Sequence, residues 1–370
     1  MKAFNMRKKI PVYEPILGES SKANVIQCLE TNWISSRGEF IDKFEREFSR
    51  RISSAHATTV TNGTVALHLA LLALDIGPGD EVIVPSFTYI ASVNAIAYVG
   101  ATPVFADSLA DTWQLSPEDI QKKITARTKA IMVVHLYGHP ADNIAIMKIA
   151  KKHNLRVIED CAEAFGSFIG PSHVGNHGDI ATFSFFGNKT ITTGEGGMVT
   201  TNSPALNERV RKFKGQGLEG VREYWHDVVG YNYRMTNICA GIGLGQLELA
   251  DQFLLRKKEI ATKVKLATSD LPLDMLWERD GYTNSFWMIS IALHQAKDRD
   301  PLRKHLANFG IETRPAFYPA HTMPMYKSMA RGEYPVAASL AERGINLPSS
   351  PALSDEDVNY ISENIRSYFK

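Results

Sequence analysis

The sequence predicts an α/β fold built on a mostly parallel sheet, followed by a smaller α+β unit. Three observations carry that expectation. Between residues 56 and 202 short β-branched runs alternate with helix-length patterns. The runs are apolar along their whole length, as in a sheet covered by helices on both faces. From residue 238 the pattern turns helical for a long stretch, and a mixed set of strands and helices follows.

In chain order, "EVIVP" (Glu81–Pro85), "TPVFAD" (102–107), "AIMVVHLYG" (130–138), "LRVIED" (155–160), "ATFSFF" (181–186) and "GMVTT" (Gly197–Thr201) read as buried strands. "TVALHLALLAL" (64–74) and "DNIAIMKIAKKH" (142–153) read as helices between them. No proline interrupts the chain from Ile238 until Pro272, which predicts a long helix over about 238–271. A strand at "FWMISIAL" (286–293) and a helix at "DPLRKHLANFG" (300–310) follow. The last helix, 354–369, is opened by an N-cap serine and three early acids. The expected division is an N-terminal segment with a large domain over 1–250, and a small C-terminal domain over 251–370.

Composition narrows the partners. With 44% hydrophobic and 22% charged residues, the chain has the make-up of a globular protein. A formal net charge of +1 offers no electrostatic footprint for nucleic acid or a membrane surface. The expected partners are small molecules and copies of the same chain. Three cysteines without CxxC spacing argue against a disulfide framework or a zinc site and point to a reducing cytoplasm. The N-terminus, "MKAFNMRKKIPVYEP", is basic but has no apolar core of a signal peptide, and no apolar run is long enough for a membrane span.

Ligands of open α/β sheets bind at the carboxyl ends of the strands. Four places there carry chemistry. "TNGTVAL" opens a helix with Asn62, Gly63 and Thr64, where free N–H groups and small residues admit an anion, though a capped helix start needs no ligand. In "PSFTYIAS", Phe87 or Tyr89 could stack on a planar ring or simply pack. "VIEDCAEAFGS" ends a buried strand with Glu159, Asp160 and then Glu163; such carboxylates are costly unless a positive group meets them or one caps a helix. In "SFFGNKTITTGEGGM" the strand supplies Ser184 and the turn after it Lys189, an ordinary solvated charge unless chemistry employs it. Together these parts describe an aromatic, phosphorylated aldehyde whose ring nitrogen wants a carboxylate, which is pyridoxal 5′-phosphate.

Competing motifs fail on the letters. Gly187 is separated from Lys189 by Asn188, so no P-loop is present, and "TNGTVALHL" is not G-x-G-x-x-G. His135 and His139 are four apart, but Gly138 and Pro140 forbid the helix that would bring both to one metal.

The segments "NGT", "EDCAEAFGS", "GDIATFSFFGNKTITTGEGGM" and "GYNYRMTNI" resemble the pyridoxal-phosphate sugar aminotransferases, a family with the aspartate aminotransferase type of fold (fold type I). The likeness runs from "IPVYEP" to "INLPSSPALS". It implies that Lys189 binds the cofactor covalently through its amine, that Asp160 keeps the pyridine nitrogen protonated, and that Tyr89 stacks on the ring. It places Gly63, Thr64 and Ser184 at the phosphate, with Asn62 among the cofactor-binding residues, and Asn232 at the phosphate of a neighbouring subunit, hence a homodimer with shared sites; pairing of dimers into tetramers is left open. The cofactor alternates with its amine form, pyridoxamine phosphate.

Where the family commonly has glutamine facing the cofactor's phenolic oxygen, this chain has Glu163, whose charge would repel an ionised phenolate unless it is protonated or compensated. "TNWISSRGEF", "VHLYGHP", "KGQGLEGVREYWHDVVGYNYRMTNI" and "ETRPAFYPAHTMPMY" narrow the resemblance to members that take L-glutamate and a GDP-linked keto-deoxy sugar. Candidates for the sugar nucleotide are Trp33, Ser36, Trp225, His226, Arg314, Tyr318 and His321, each with an equally ready use in packing or an interface. Members for dTDP- or UDP-linked sugars are the alternative. A dehydrating branch of the fold has histidine at the position of Lys189, so the lysine favours amino transfer.

Overall fold

The computed structural model describes residues 9–370. Residues 1–8 of the basic N-terminal stretch and of the expected 1–250 unit lie outside the described residues.

A seven-stranded sheet has the order His56–Val60, Gly197–Thr201, Ile180–Ser184, Arg156–Asp160, Thr128–Val134, Glu81–Pro85, Thr102–Ala106. The last five pair in parallel, and Gly197–Thr201 runs antiparallel to both of its neighbours. Every residue of Glu81–Pro85 and of Gly197–Thr201 is buried, because helices cover both faces. Register brings Val134 opposite Asp160, and Asp160 opposite Thr182, so the carboxyl ends carrying the candidate residues share one edge.

All six expected strands of this sheet are present; the run expected over 181–186 ends at Ser184, and the largest differences of extent are one here and one in the later strand. The run expected over 130–138 stops at Val134, since the chain enters a turn at Leu136–Gly138 with Tyr137 at φ 57. The run expected over 286–293 begins only at Ile289, because Phe286 adopts φ 48. The strand His56–Val60 was not among the expected ones. Its "HATTV" is polar, yet it is buried: Thr59 N–H and Oγ1 both donate to Glu45 Oε1, at 2.8 and 2.9 Å.

The long helix is Asn237–Thr268, capped by Thr236. Its glycines let two earlier helices, Glu19–Thr31 and Glu39–Ile52, approach closely. A Cβ on Gly243 would fall 2.6 Å from the Phe44 ring, and one on Gly245 would fall 2.4 Å from the Ser21 nitrogen. Further along, Ile260, Ala261 and Val264 share a core with Val358, Ile361 and Ile365 of the final helix, Asp355–Tyr368. By length and composition this is the one helix among the described residues that could cross a membrane, but both of these stretches are committed to the protein interior. Residue 250 lies in its middle, so the helix runs across the expected boundary between units.

A second, antiparallel sheet has the order Leu273–Met275, Ile289–Leu293, Gly344–Leu347, Arg314–Pro315. The expected helices flank it as Arg299–Asn308 and Asp355–Tyr368, the latter closed by a Ser354/Asp357 capping box.

Candidate active site

At the carboxyl edge of the large sheet lies a cavity of about 590 Å³, lined by Asn62, Gly63, Thr64, Tyr89, Ser92, Asp160, Glu163, Ser184, Lys189, Glu195, Trp287 and Phe317 among others. One end is the start of helix Gly63–Ala73. Asn62 caps it, its side chain accepting from Val65 N–H at 3.0 Å and its carbonyl from Ala66 N–H at 3.2 Å. The N–H groups of Gly63 and Thr64 remain as the unclaimed donors of the first turn. A Cβ on Gly63 would fall 2.8 Å from Ser184 Cβ, so the missing side chain is what lets helix start and strand end meet around a small space.

Asp160 is 5% exposed. Its Oδ2 accepts from Ser92 Oγ at 2.8 Å and its Oδ1 from Ala162 N–H at 3.1 Å. Burial raises its pKa, and those two hydrogen bonds and the Lys189 charge only partly oppose the rise. Tyr89, 56% exposed, stands at the mouth with its ring centre 5.6 Å from that of Phe317.

Lys189 sits on the turn after Ile180–Ser184, its N–H donating to Phe186 O at 2.9 Å. Two long-range bonds hold its backbone: Tyr13 Oη donates to Lys189 O and Trp287 Nε1 to Asn188 O, both at 2.8 Å. The amine lies 3.9 Å from Glu163 Oε1 and 3.8 Å from the centre of the Trp287 ring, with the side chain 13% exposed. Burial lowers the Lys189 pKa, against the pull of Glu163 and Asp160. Burial also pushes Glu163 up to about 7, against Lys189 and the N–H of Tyr137, which donates to Glu163 Oε2 at 2.8 Å. The pair is therefore drawn toward amine and neutral acid, the forms in which a lysine can act as nucleophile and base.

Behind the cavity, ligand atoms of His135, Glu159 and Cys161 lie within 4.8 Å of one another. The hydrogen bonds already present occupy two of its three members, Glu159 and His135. Glu159 accepts from His135 Nε2, from Asn143 and from the N–H groups of Gly175, His177 and Gly178. His135 Nδ1 accepts from Ala141 N–H. Burial alone would raise the Glu159 pKa, but these donors hold it down at about 2. The cost of a buried carboxylate at a strand end is thus met by a ring of donors, and no lone pair of His135 is left for a metal.

Residues 15–366 match the DegT/DnrJ/EryC1/StrS aminotransferase family. The chain belongs to that family. Among relatives of this aminotransferase, GDP-perosamine synthase of Escherichia coli O157:H7 is 59% identical over 98% of this chain and 99% of its own. GDP-perosamine synthase of Vibrio cholerae is 49% identical over 97% and 99%. The solved structure of a putative sugar aminotransferase from Streptococcus pneumoniae, Spr1654 in its PLP form, superposes with TM-score 0.93 at 29% identity, covering 98% of each chain. The fold is that of the sugar aminotransferases, as the sequence resemblance implied.

The cavity of this aminotransferase gathers eight expected residues: Asn62, Gly63, Thr64, Tyr89, Asp160, Glu163, Ser184 and Lys189. The others are not among its lining residues. Asn232 is exposed and pairs with Gly215 at the base of a projecting segment. Trp33 is 56% exposed, and Ser36 accepts from Arg234 Nε at 3.2 Å. Trp225 lies under the Arg222 guanidinium, and His226 Nδ1 bonds Gln216 O at 2.8 Å. Arg314 pairs with Glu312 at 2.7 Å, and Tyr318 is 55% exposed. His321 Nδ1 lies 2.6 Å from Ser86 Oγ, with its ring 4.3 Å from that of Tyr334.

Sequence reasoning passed over Ser92, Trp287 and Phe317. Ser92 had a signal, since it follows Tyr89 by three residues on a helix and so shares its face. Trp287 and Phe317 had none, because no local spacing relates them to Lys189 or Tyr89.

Proposed function

We propose that this aminotransferase uses pyridoxal 5′-phosphate to move the amino group of L-glutamate to C4 of GDP-4-keto-6-deoxy-D-mannose, giving GDP-perosamine. The observation that carries the reading is a desolvated lysine amine in one cavity with a buried carboxylate and the free end of a helix. The identity to relatives named GDP-perosamine synthase supports the choice of sugar nucleotide.

The residues fit the cofactor. The unclaimed N–H groups of Gly63 and Thr64, with the Ser184 hydroxyl, suit a phosphate at the helix start, and the lack of a Cβ on Gly63 is what lets Ser184 come this close to it. When bound, pyridoxal 5′-phosphate supplies an aldehyde carbon and an electron-withdrawing ring. Asp160 holds the proton at the ring nitrogen; a carboxylate that burial destabilises gains most from such a cationic partner. Tyr89 covers the ring face. Lys189 takes the proton from Cα of glutamate and returns it to the carbon that needs it, so one amine serves as base and acid. Glu163, with its pKa lifted to about 7, can carry a proton toward the phenolic oxygen instead of repelling it. The reading makes 1–250 the cofactor-holding unit and 251–370 the smaller one, with the long helix crossing between them, and places the enzyme in the cytoplasm.

Purified protein supplied with glutamate and a panel of GDP-, dTDP- and UDP-linked 4-keto-6-deoxy sugars is expected to turn over the GDP-mannose derivative best. Preference for a dTDP or UDP sugar would overturn the choice of nucleotide and leave the amino transfer standing.

We also propose a homodimer whose sites are shared. Asn232 is exposed at the base of a segment whose Val221, Tyr224 and Val229 are 87%, 89% and 81% exposed, side chains that a second copy would cover. Lys189→Ala and Asn232→Asp homodimers should both be poor enzymes. Their heterodimer should recover activity approaching about half of wild type, because one site receives both defects and the other neither. Heterodimers as inactive as both parents would place Asn232 at its own chain's cavity.

A further inference from the structure

Lys257 lies in the middle of the long helix and is 1% exposed. No carboxylate pairs with it among the described residues. Its Nζ donates instead to three backbone carbonyls: Ser349 at 2.7 Å, Trp287 at 3.1 Å and Phe286 at 3.4 Å. The Tyr13 ring covers it, with its centre 5.0 Å from the nitrogen. Three acceptors call for three N–H donors, which only the ammonium has, although burial pulls its pKa down to about 7. An apolar side chain would fill this position without the cost of a buried charge. The lysine therefore asks for a reason beyond packing.

Its neighbours supply one. Of the four residues that touch Lys257, Tyr13 and Trp287 are the two whose side-chain polar hydrogens hold the Asn188–Lys189 backbone. Trp287 also lays its ring 3.8 Å from the Lys189 amine. Two of the carbonyls that Lys257 grips belong to Trp287 itself and to Phe286 before it, whose φ of 48 is a backbone conformation an aromatic residue rarely adopts. Ser349, the third acceptor, donates its N–H to Val12 O and so ties in the segment that carries Tyr13.

We propose that Lys257 is a positioning residue for the Lys189 amine: it pins the Trp287 backbone and the Tyr13 ring, whose indole N–H and hydroxyl fix the turn that presents the amine. The inference rests on the reading of Lys189 as the cofactor's lysine.

The test follows PLP-loaded protein reacting with L-glutamate, by the change in the visible absorption of the bound cofactor. Lys257→Met should keep the cofactor, with its affinity altered by less than about threefold, while the saturated rate falls about ten- to a hundredfold, as expected for a misplaced reacting group. The glutamate concentration for half-saturation should barely move. Lys257→Arg, which keeps a cation and donors, should recover most of the rate. In a Tyr13→Phe/Trp287→Phe background, already slow, Lys257→Met should add little, because the three side chains act as one unit.

A wild-type rate in Lys257→Met, or losses that multiply in the triple variant, would overturn the proposal. If Lys257→Met does not fold, the Tyr13→Phe/Trp287→Phe protein decides. These side chains carry the link from Lys257 to Lys189, so an unchanged rate there ends the inference. Borohydride labelling of wild type separates the two readings. If no cofactor is fixed to Lys189, the reading of the site falls and this inference with it; if it is fixed and the variants match wild type, only the inference falls.

Discussion

Replacing Lys189 by alanine is expected to abolish turnover while the fold persists. Among the described residues the side chain bears the only amine of the cavity, and it is the group proposed to move the proton at Cα. Loss of the proton transfer alone should cost on the order of 10²–10⁴-fold. The backbone bonds at this turn, Tyr13 to Lys189 O and Trp287 to Asn188 O, do not involve the removed atoms, so thermal unfolding should stay close to wild type. Phosphate contacts at Gly63, Thr64 and Ser184 should still retain pyridoxal phosphate. In wild type, borohydride should fix the cofactor to Lys189 and to no other lysine, read by mass spectrometry of peptides. Label on a different lysine, or near-normal turnover in the alanine variant, would remove Lys189 from the chemistry.

Asp160→Asn is expected to lower the rate of transamination by about 10²–10³-fold, the scale on which a buried, preorganised charge stabilises a transition state. The substitution is nearly isosteric, and the amide oxygen can still accept one of the two hydrogen bonds that reach Asp160 from Ser92 and Ala162. The fold should therefore survive. The fall should appear in the saturated rate, since what is lost is the charge proposed to keep the ring nitrogen protonated and not a contact to substrate. A folded Asp160→Asn protein with near-normal activity would contradict that role.

Much of the candidate site was legible in local letters because its parts are strand ends. A buried strand announces itself by composition, and the residue after it is then at the ligand-binding edge whatever the order of the sheet. Asp160 closes "LRVIED", Ser184 closes the strand before the lysine turn, and Gly63 and Thr64 open the helix Gly63–Ala73. The strand His56–Val60 was missed because its threonines are satisfied from other elements, Thr59 by Glu45 on a helix before it and Thr58 by Asn207 on a helix far after it. Phe286 and Tyr137 shortened two expected strands through positive φ values that no composition signals.

The sequence by itself determined the alternation of elements, the lysine, the carboxylate and the capped helix start, since each depends on neighbours within a few positions. Tertiary structure alone decided the electrostatics. Ser92 reaches Asp160 across 68 positions, and Trp287 reaches the lysine turn across 99. Glu163 and Lys189 shift toward their neutral forms because the folded chain takes both from water. Desolvation is a property of everything packed around a group, so the residues that carry the chemistry could be read in order along the chain, while the shifts that prepare them appear only once distant segments have closed over them.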